Sequence, residues 1–212
     1  MPTNLRPEPL AYWYLRLNGF LTIPNFVVHP DTGSNQGTDI DALGVRFPDR
    51  AENLICPMAD DPRLVSPDRR VHFVLAEVKN GGASINPSWL DPQRRNVLRT
   101  IRAVGVADPA RSERIAERIC SKGGYTSPRL RAEIVCLCER TSAELSRRLP
   151  NARQITWDDI MTFIYSRFRA YIKQKRSHGQ WDETGQLLWD VMVSSRNAAA
   201  YVASLKQVWQ PS

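Results

Sequence analysis

The sequence predicts an α/β fold, a mixed sheet flanked by helices with further helices toward the C-terminal end. Three observations carry this expectation. Phe73-Val74-Leu75-Ala76-Glu77-Val78-Lys79-Asn80-Gly81 reads as a buried inner strand that runs into an Asn-Gly turn. Strand-like runs precede the first crossover helix, and another, 131–138, follows it. The remaining third then carries the apolar periodicity of helices. With 212 residues, 42% of them hydrophobic and 24% charged, the chain is long enough for one well-cored domain and too apolar for disorder.

Taken in order, Pro7-Glu8-Pro9 opens a helix whose Leu10, Trp13, Tyr14 and Leu17 form one apolar stripe, and Asn18-Gly19 ends it. Residues 20–28 read as a strand, with Pro24 marking an edge or a bulge. Turn formers fill 30–37. Residues 38–47 form a second strand. Alternation places Ile40 and Ala42 on one face and Asp39, Asp41, Leu43 and Val45 on the other. Aspartates inside a strand run against β-propensity and ask for a reason. Residues 48–70, rich in Pro, Asp and Arg, form an excursion of a length more often functional or mobile than structural.

After the central strand, Asp91-Pro92 reads as a helix start. That helix extends to Gly105 with Val97, Leu98, Ile101 and Val104 inward. Asp108-Pro109 starts the next, which stops at Gly123-Gly124. Thr141 with Glu144 suggests a capping box, and 154–156 a last short strand. Thr156 with Asp159 begins a long helix with Ile160, Phe163, Ile164, Phe168, Tyr171 and Ile172 inward, broken at His178-Gly179. A final helix is expected over 183–208.

Lys plus Arg outnumber Asp plus Glu by 29 to 22, a net charge of +7 that favours a polyanionic partner such as nucleic acid. Cys56, Cys120, Cys136 and Cys138 contain no Cys-x-x-Cys pair, so free, buried thiols in a reducing compartment are expected. No apolar leader and no run of 18 apolar residues occurs, and a soluble, cytoplasmic protein without a membrane partner is expected. The three histidines are not spaced as a metal site. Of the tryptophans, Trp89 is the candidate exposed stacker.

The chemistry lies at the end of the central strand. Glu77 and Lys79 point the same way, and two ionisable groups ending an apolar strand are costly without partners. An acidic residue on the second strand, then Glu-x-Lys on the third, in the order α-β-β-β-α-β, resembles the PD-(D/E)xK nuclease superfamily, the restriction-endonuclease-like fold. The likeness is closest to its resolvase-like and Mrr-like branches. Their opening Glu-x-x-Ala-x-x-Tyr-Leu-x-x-x-Gly-Phe has counterparts in Glu8, Ala11, Tyr14, Leu15, Gly19 and Phe20. Asp39-Ile40-Asp41 matches the aspartate motif, although Ile40 stands where the family name has Pro. The 36 residues from Asp41 to Glu77 exceed the usual interval, the excess lying in 48–70.

This resemblance implies a restriction-endonuclease-like core over 1–140, with a helical extension over 141–212 packed on it. The implied activity is Mg²⁺-dependent cleavage of DNA, with Mn²⁺ able to substitute and RNA not excluded. Repair and defence against foreign DNA are both compatible roles. Asp41, Glu77, Lys79 and Glu8 would carry the chemistry, with Asp41, Glu77, Glu8 and Asp39 toward the metal. Arg94, Arg95, Arg99 and Arg102 would contact the nucleic-acid backbone. Cutting both strands implies a homodimer. Leu187, Leu188, Val191, Tyr201, Val202 and Leu205 would either form its interface or cover the sheet. Other readings stay open at this point. Glu77–Lys79 can be a strand-end ion pair, Asp39 and Asp41 solvated residues near a turn, Glu8 a first-turn acid, and the arginines an ordinary solvated helix face. A non-catalytic nucleic-acid-binding or regulatory module that keeps the fold without turnover is the alternative function.

Overall fold

The computed structural model describes residues 4–32, 38–179 and 181–210, so the turn expected at 33–37 lies outside the described residues. The first helix, α1 (Pro7–Leu17), has Pro in its opening turn and stops where Gly19 takes φ +80°, a left-handed conformation that glycine adopts without strain. Three strands follow, β1 (Leu21–Val28), β2 (Thr38–Arg46) and β3 (Val71–Val78). Next come α2 (Pro87–Leu90), α3 (Asn96–Val104), α4 (Pro109–Lys122), β4 (Gly124–Thr126) and β5 (Leu130–Cys138). The chain ends with α5 (Ala143–Arg148), β6 (Arg153–Thr156), α6 (Trp157–Ala170), α7 (Glu183–Ser194) and α8 (Ala198–Gln207).

Among the described residues the sheet has six strands in the order β1-β2-β3-β5-β4, with β6 also on β5. It is mixed: β1, β2 and β3 are mutually antiparallel, β3 and β6 run parallel to β5, and β4 is antiparallel to it. Side chains of α1, α6, α7 and α8 pack with Ala42, Val74, Ala76 and Leu137 on one face. Those of α3 and α4 pack with Phe73, Leu75, Ile134 and Cys136 on the other. The sheet and the α1-side core both continue past residue 140, since β6 joins β5 and α6 follows at once.

Several boundaries differ from expectation, each for a local reason. Asp91 does not N-cap a helix; it follows the last residue of α2, its carboxylate accepts from the Gln93 N–H in a turn, and α3 begins only at Asn96. The residue before it, Arg95, sits at φ +54°. Ser142, not Thr141, caps α5 by accepting from the Leu145 N–H. α6 ends at Ala170, so Tyr171 is buried just beyond it while Ile172 reaches solvent. The expected 183–208 helix is two, because the Asn197 side chain accepts from the Ala200 N–H and starts a new one. β4 carries no apolar run and was invisible beside its Gly-Gly stop signal. Leu187, Leu188, Tyr201 and Leu205 are buried against the sheet-side core, with Val191 and Val202 packed on it. α7 and α8 thus form a layer packed on α1 and α6, so the four buried side chains serve the fold of the chain itself. Trp89 is buried, not an exposed stacker, and Cys56 is exposed while Cys136 and Cys138 are buried free thiols.

The long excursion is firmly docked. Arg167 of α6 is fully buried and donates to Glu52 (3.0 Å), Asp60 (2.7 Å) and the carbonyls of Met58 and Ala59 (3.1 Å each). Arg46 and Arg50 also hold Asp60, at 2.7 Å each, and Lys175 pairs with Glu52. Tyr14 of α1 donates to Asp61, whose own N–H donates to Asn18. A segment whose length suggests a functional or mobile loop is thus a structural clamp across α1, β2 and α6.

Candidate active site

The antiparallel register of β2 on β3 ends at Ala42↔Ala76. One residue beyond, the Asp41 carboxylate replaces the missing strand and accepts the Val78 N–H through Oδ2 at 2.7 Å. This explains an aspartate inside a strand. It also fixes Asp41 beside the last residues of β3, where Glu77 is buried and Lys79 half-buried. Alternation fails here: Ile40 packs with Leu43, Phe73 and Leu75, whereas Ala42 packs on the α1 side with Val74 and Ala76. The break falls at Asp41, opposite Asn25 of β1, which adopts φ +51°. Local distortions of this kind re-aim a side chain at the end of a strand pair.

Glu77 is held from two sides through Oε1, which accepts from Lys79 Nζ at 2.7 Å and from the Asn86 N–H at 3.2 Å. The Asn86 side chain in turn accepts from the Ser88 N–H to start α2, so the loop after β3 is ordered around this carboxylate. The main chain of Lys79 is anchored as well: its N–H donates to Leu137 of β5, and its carbonyl accepts from Trp157 Nε1 at 3.1 Å.

Burial pushes the Asp41 carboxyl above its ordinary range; the Val78 N–H and Lys79 oppose this, while Asp39 and Glu8 add to it. Glu77 is raised too, first by burial and further by Asp41, against the Lys79 hydrogen bond. For Lys79, burial disfavours the ammonium, but the hydrogen bond and charge of Glu77, with Asp41 behind, outweigh it and raise its pKa. Acid and base of one ion pair therefore shift the same way, because buried Glu77 and half-buried Asp41 have one ammonium near them. Such a site is short of positive charge.

Glu8, from the first turn of α1, joins Asp39 and Asp41 in lining an open cleft of about 740 Å³, with Tyr12, Asn25 and Asp182. Four of the expected residues, Asp41, Glu77, Lys79 and Glu8, therefore interact at one end of the sheet, and exposed Asp39 stands at the mouth. Among the described residues no three His, Cys, Asp or Glu side chains come close enough to hold a metal ion between them. Asp182 was not signalled by sequence: it caps α7 by accepting from the Gly185 N–H and also accepts from Trp13 Nε1, so its presence in the cleft follows from tertiary packing.

The four arginines are not one helix face. Arg94 precedes α3 and bonds Ser88 at 3.3 Å and Asp91 at 3.4 Å, and Arg95 pairs with Glu113 at 2.6 Å. Arg99 pairs with Asp31 at 2.6 Å, and that carboxyl is held below its usual range by the guanidinium. Arg95, Arg99 and Arg102 line a cavity of about 490 Å³ with His29, against the last residues of β1. Val28 pairs with Thr38, so this cavity opens at the sheet end that also carries Asp39 and Asp41.

Comparison with protein-family models, curated proteins and solved structures returns no match for this chain. Among the described residues no helix is long and apolar enough to cross a membrane.

Proposed function

We propose that this protein is a metal-dependent endonuclease of the restriction-endonuclease-like fold, a PD-(D/E)xK enzyme that hydrolyses DNA phosphodiester bonds. One observation carries the reading. Buried Glu77 and half-buried Asp41 stand on adjacent strands around a single ammonium, Lys79, which pairs with Glu77 at 2.7 Å and lowers the Asp41 pKa by its charge, and Asp41 lines an open cleft. A divalent cation would supply the positive charge this arrangement lacks.

The residues fit Mg²⁺. That ion is commonly bound through one or two carboxylates, with waters and substrate phosphate completing its shell, so a third protein ligand is not required. Asp41 and Glu77 would hold it, with Glu8 and Asp39 adding negative charge from the cleft. When bound, it would acidify a water and neutralise phosphate charge. Asp41 keeps its orientation from the Val78 N–H, and Glu77 from the Asn86 N–H. Lys79, its pKa raised, stays an ammonium at neutral pH, which favours stabilising charge on the phosphate over taking a proton from water. The arginine-lined cavity at the same sheet end suits contacts to the nucleic-acid backbone. RNA would meet the same chemistry.

The deciding experiment is nicking of supercoiled plasmid with Mg²⁺ or Mn²⁺, comparing wild type, Lys79→Ala and an EDTA control. Relaxed or linear product from wild type alone supports the reading; equal activity in the variant defeats the assignment. A second reading, a binding module without turnover, is favoured by one feature: Lys79 already neutralises Glu77, and no three-ligand cluster exists among the described residues. In that case Mg²⁺ and Mn²⁺ would leave the melting temperature unchanged. A nuclease would show a metal-dependent rise that disappears in Asp41→Ala.

A further inference from the structure

A second cleft, of about 430 Å³, lies beyond the C-terminal ends of β5 and β6 and has an aromatic wall. Trp157 and Trp209 form it, with ring centroids 5.3 Å apart and planes tilted by 52°. Trp157 is buried, whereas Trp209 is half-buried and packs against the core. Around them stand Arg140 and Glu139, both exposed, and Lys206, which pairs with Asp158 at 2.6 Å.

Two contacts tie this cleft to the candidate active site. Trp157 donates its indole N–H to the Lys79 carbonyl. Trp209 forms a parallel bridge with Leu5, whose N–H donates to Val208 and whose carbonyl accepts from the Gln210 N–H. Arg6 and Glu8, one and three residues after Leu5, line the carboxylate cleft. The aromatic cleft is therefore linked to the site on both sides, through the main chain of Lys79 and through the segment that leads into α1.

We infer that this cleft is a slot for one unpaired nucleobase of the substrate strand, stacked on Trp209, with Arg140 on an adjoining phosphate. The inference rests on the nuclease reading and specifies its substrate: a strand that is single-stranded or locally unpaired beside the point of cleavage. A half-buried indole backed by a fully buried one is a rigid stacking platform, and every base has a face to offer it. Glu139 and Asp158 are acceptors for the exocyclic amino groups of adenine and cytosine. A duplex keeps its bases stacked on each other and cannot use the slot.

The test is fluorescence anisotropy with the full-length chain in EDTA, so that no turnover is needed. The probe is a fluorescein-labelled 12-nucleotide single strand, as DNA and as RNA, beside the blunt DNA duplex of the same sequence. Trp209→Ala is expected to weaken single-strand binding roughly 5- to 160-fold, the range for loss of one base–aromatic stack. Its effect on the duplex should be far smaller, and Trp209→Phe should restore most of the loss. Arg140→Ala, at an exposed position, should lower the salt slope of single-strand binding by about 0.7, as for one phosphate contact. The DNA and RNA arms show which strand the slot takes. Equal single-strand affinity in wild type and Trp209→Ala overturns the proposal. So does a loss shared equally by the duplex, or a wild type that binds no single strand. Plasmid nicking is scored separately: cleavage with an unchanged Trp209→Ala removes the slot and leaves the nuclease. Base-dependent binding without cleavage does the reverse.

Discussion

Replacing Arg167 by Met should cost this protein a large share of its stability. The guanidinium is fully buried and its four hydrogen bonds go to Glu52, Asp60, Met58 and Ala59. The carboxylates are not left alone by the change. Asp60 keeps Arg46 and Arg50, and Glu52 keeps Arg50 and Lys175. What is lost outright are the donors to two carbonyls, about 1–3 kcal/mol each where the group stays shielded from water. The contact of the cation with the Phe163 ring, 5.0 Å from its centroid, goes as well. Met fills most of the volume, so the cavity contribution is small. The total should fall near about 3–5 kcal/mol, from two shielded carbonyls left without donors and the lost contact with the ring. For a chain of this length that lowers Tm by roughly 6–20 °C. Urea unfolding followed by tryptophan fluorescence, with calorimetry alongside, measures it. Arg69→Ala, which breaks an exposed pair with Asp49, is the control and should change stability by less than about 1 kcal/mol. If Arg167→Met costs no more than Arg69→Ala at an unchanged m-value, the excursion is not clamped as argued.

Asp41→Asn should stabilise the protein at neutral pH while abolishing cleavage. The raised Asp41 pKa means its ionisation costs stability as pH rises from the unfolded value of 3.8 through the higher folded one. The amide escapes that loss and still accepts from Val78, so the Tm difference from wild type should widen across the acid range and then level off. A constant difference from pH 3 to 8 would contradict the shift. Arg102→Ala should weaken duplex binding and reduce the salt slope by about 0.9, read from titrations at several salt concentrations. An unchanged slope would make that residue part of a solvated surface. Under native conditions a maleimide should label Cys56 rapidly and leave Cys136 and Cys138 unmodified, as mass spectrometry of the digested protein would show.

Much of the architecture was legible because its signals are local. Pro and Gly bound α1 and α4, the apolar run 73–76 marks the central strand, and the Asp41 and Glu77–Lys79 pattern could be picked out before any contact was known. Signals that compete within one segment were not resolved. Asp91-Pro92 carries the same letters as the true start at Asp108-Pro109, but only Asp108 is followed by an uninterrupted helical stripe, and its carboxylate accepts from the Arg111 N–H. Strict alternation misplaced Ile40, because the distortion at Asn25 and Asp41 arises from two strands together. The clamp on the excursion was hidden for the same reason: Arg167 lies 107 residues from Asp60, and its charge reads as a surface residue until the loop folds over it. Trp209 had no signal beyond its identity; its bridge to Leu5 is a pairing across almost the whole sequence.

That bridge makes the fold nearly circular. With the backbone at Leu5 hydrogen-bonded to that at Val208 and Gln210, a short peptide joining the two segments would follow a connection the native state already makes. New ends could then be opened between Leu54 and Ile55, both almost wholly exposed. A permuted chain of this kind should fold to the same sheet with the candidate site intact, the Leu5–Trp209 seam having become continuous backbone.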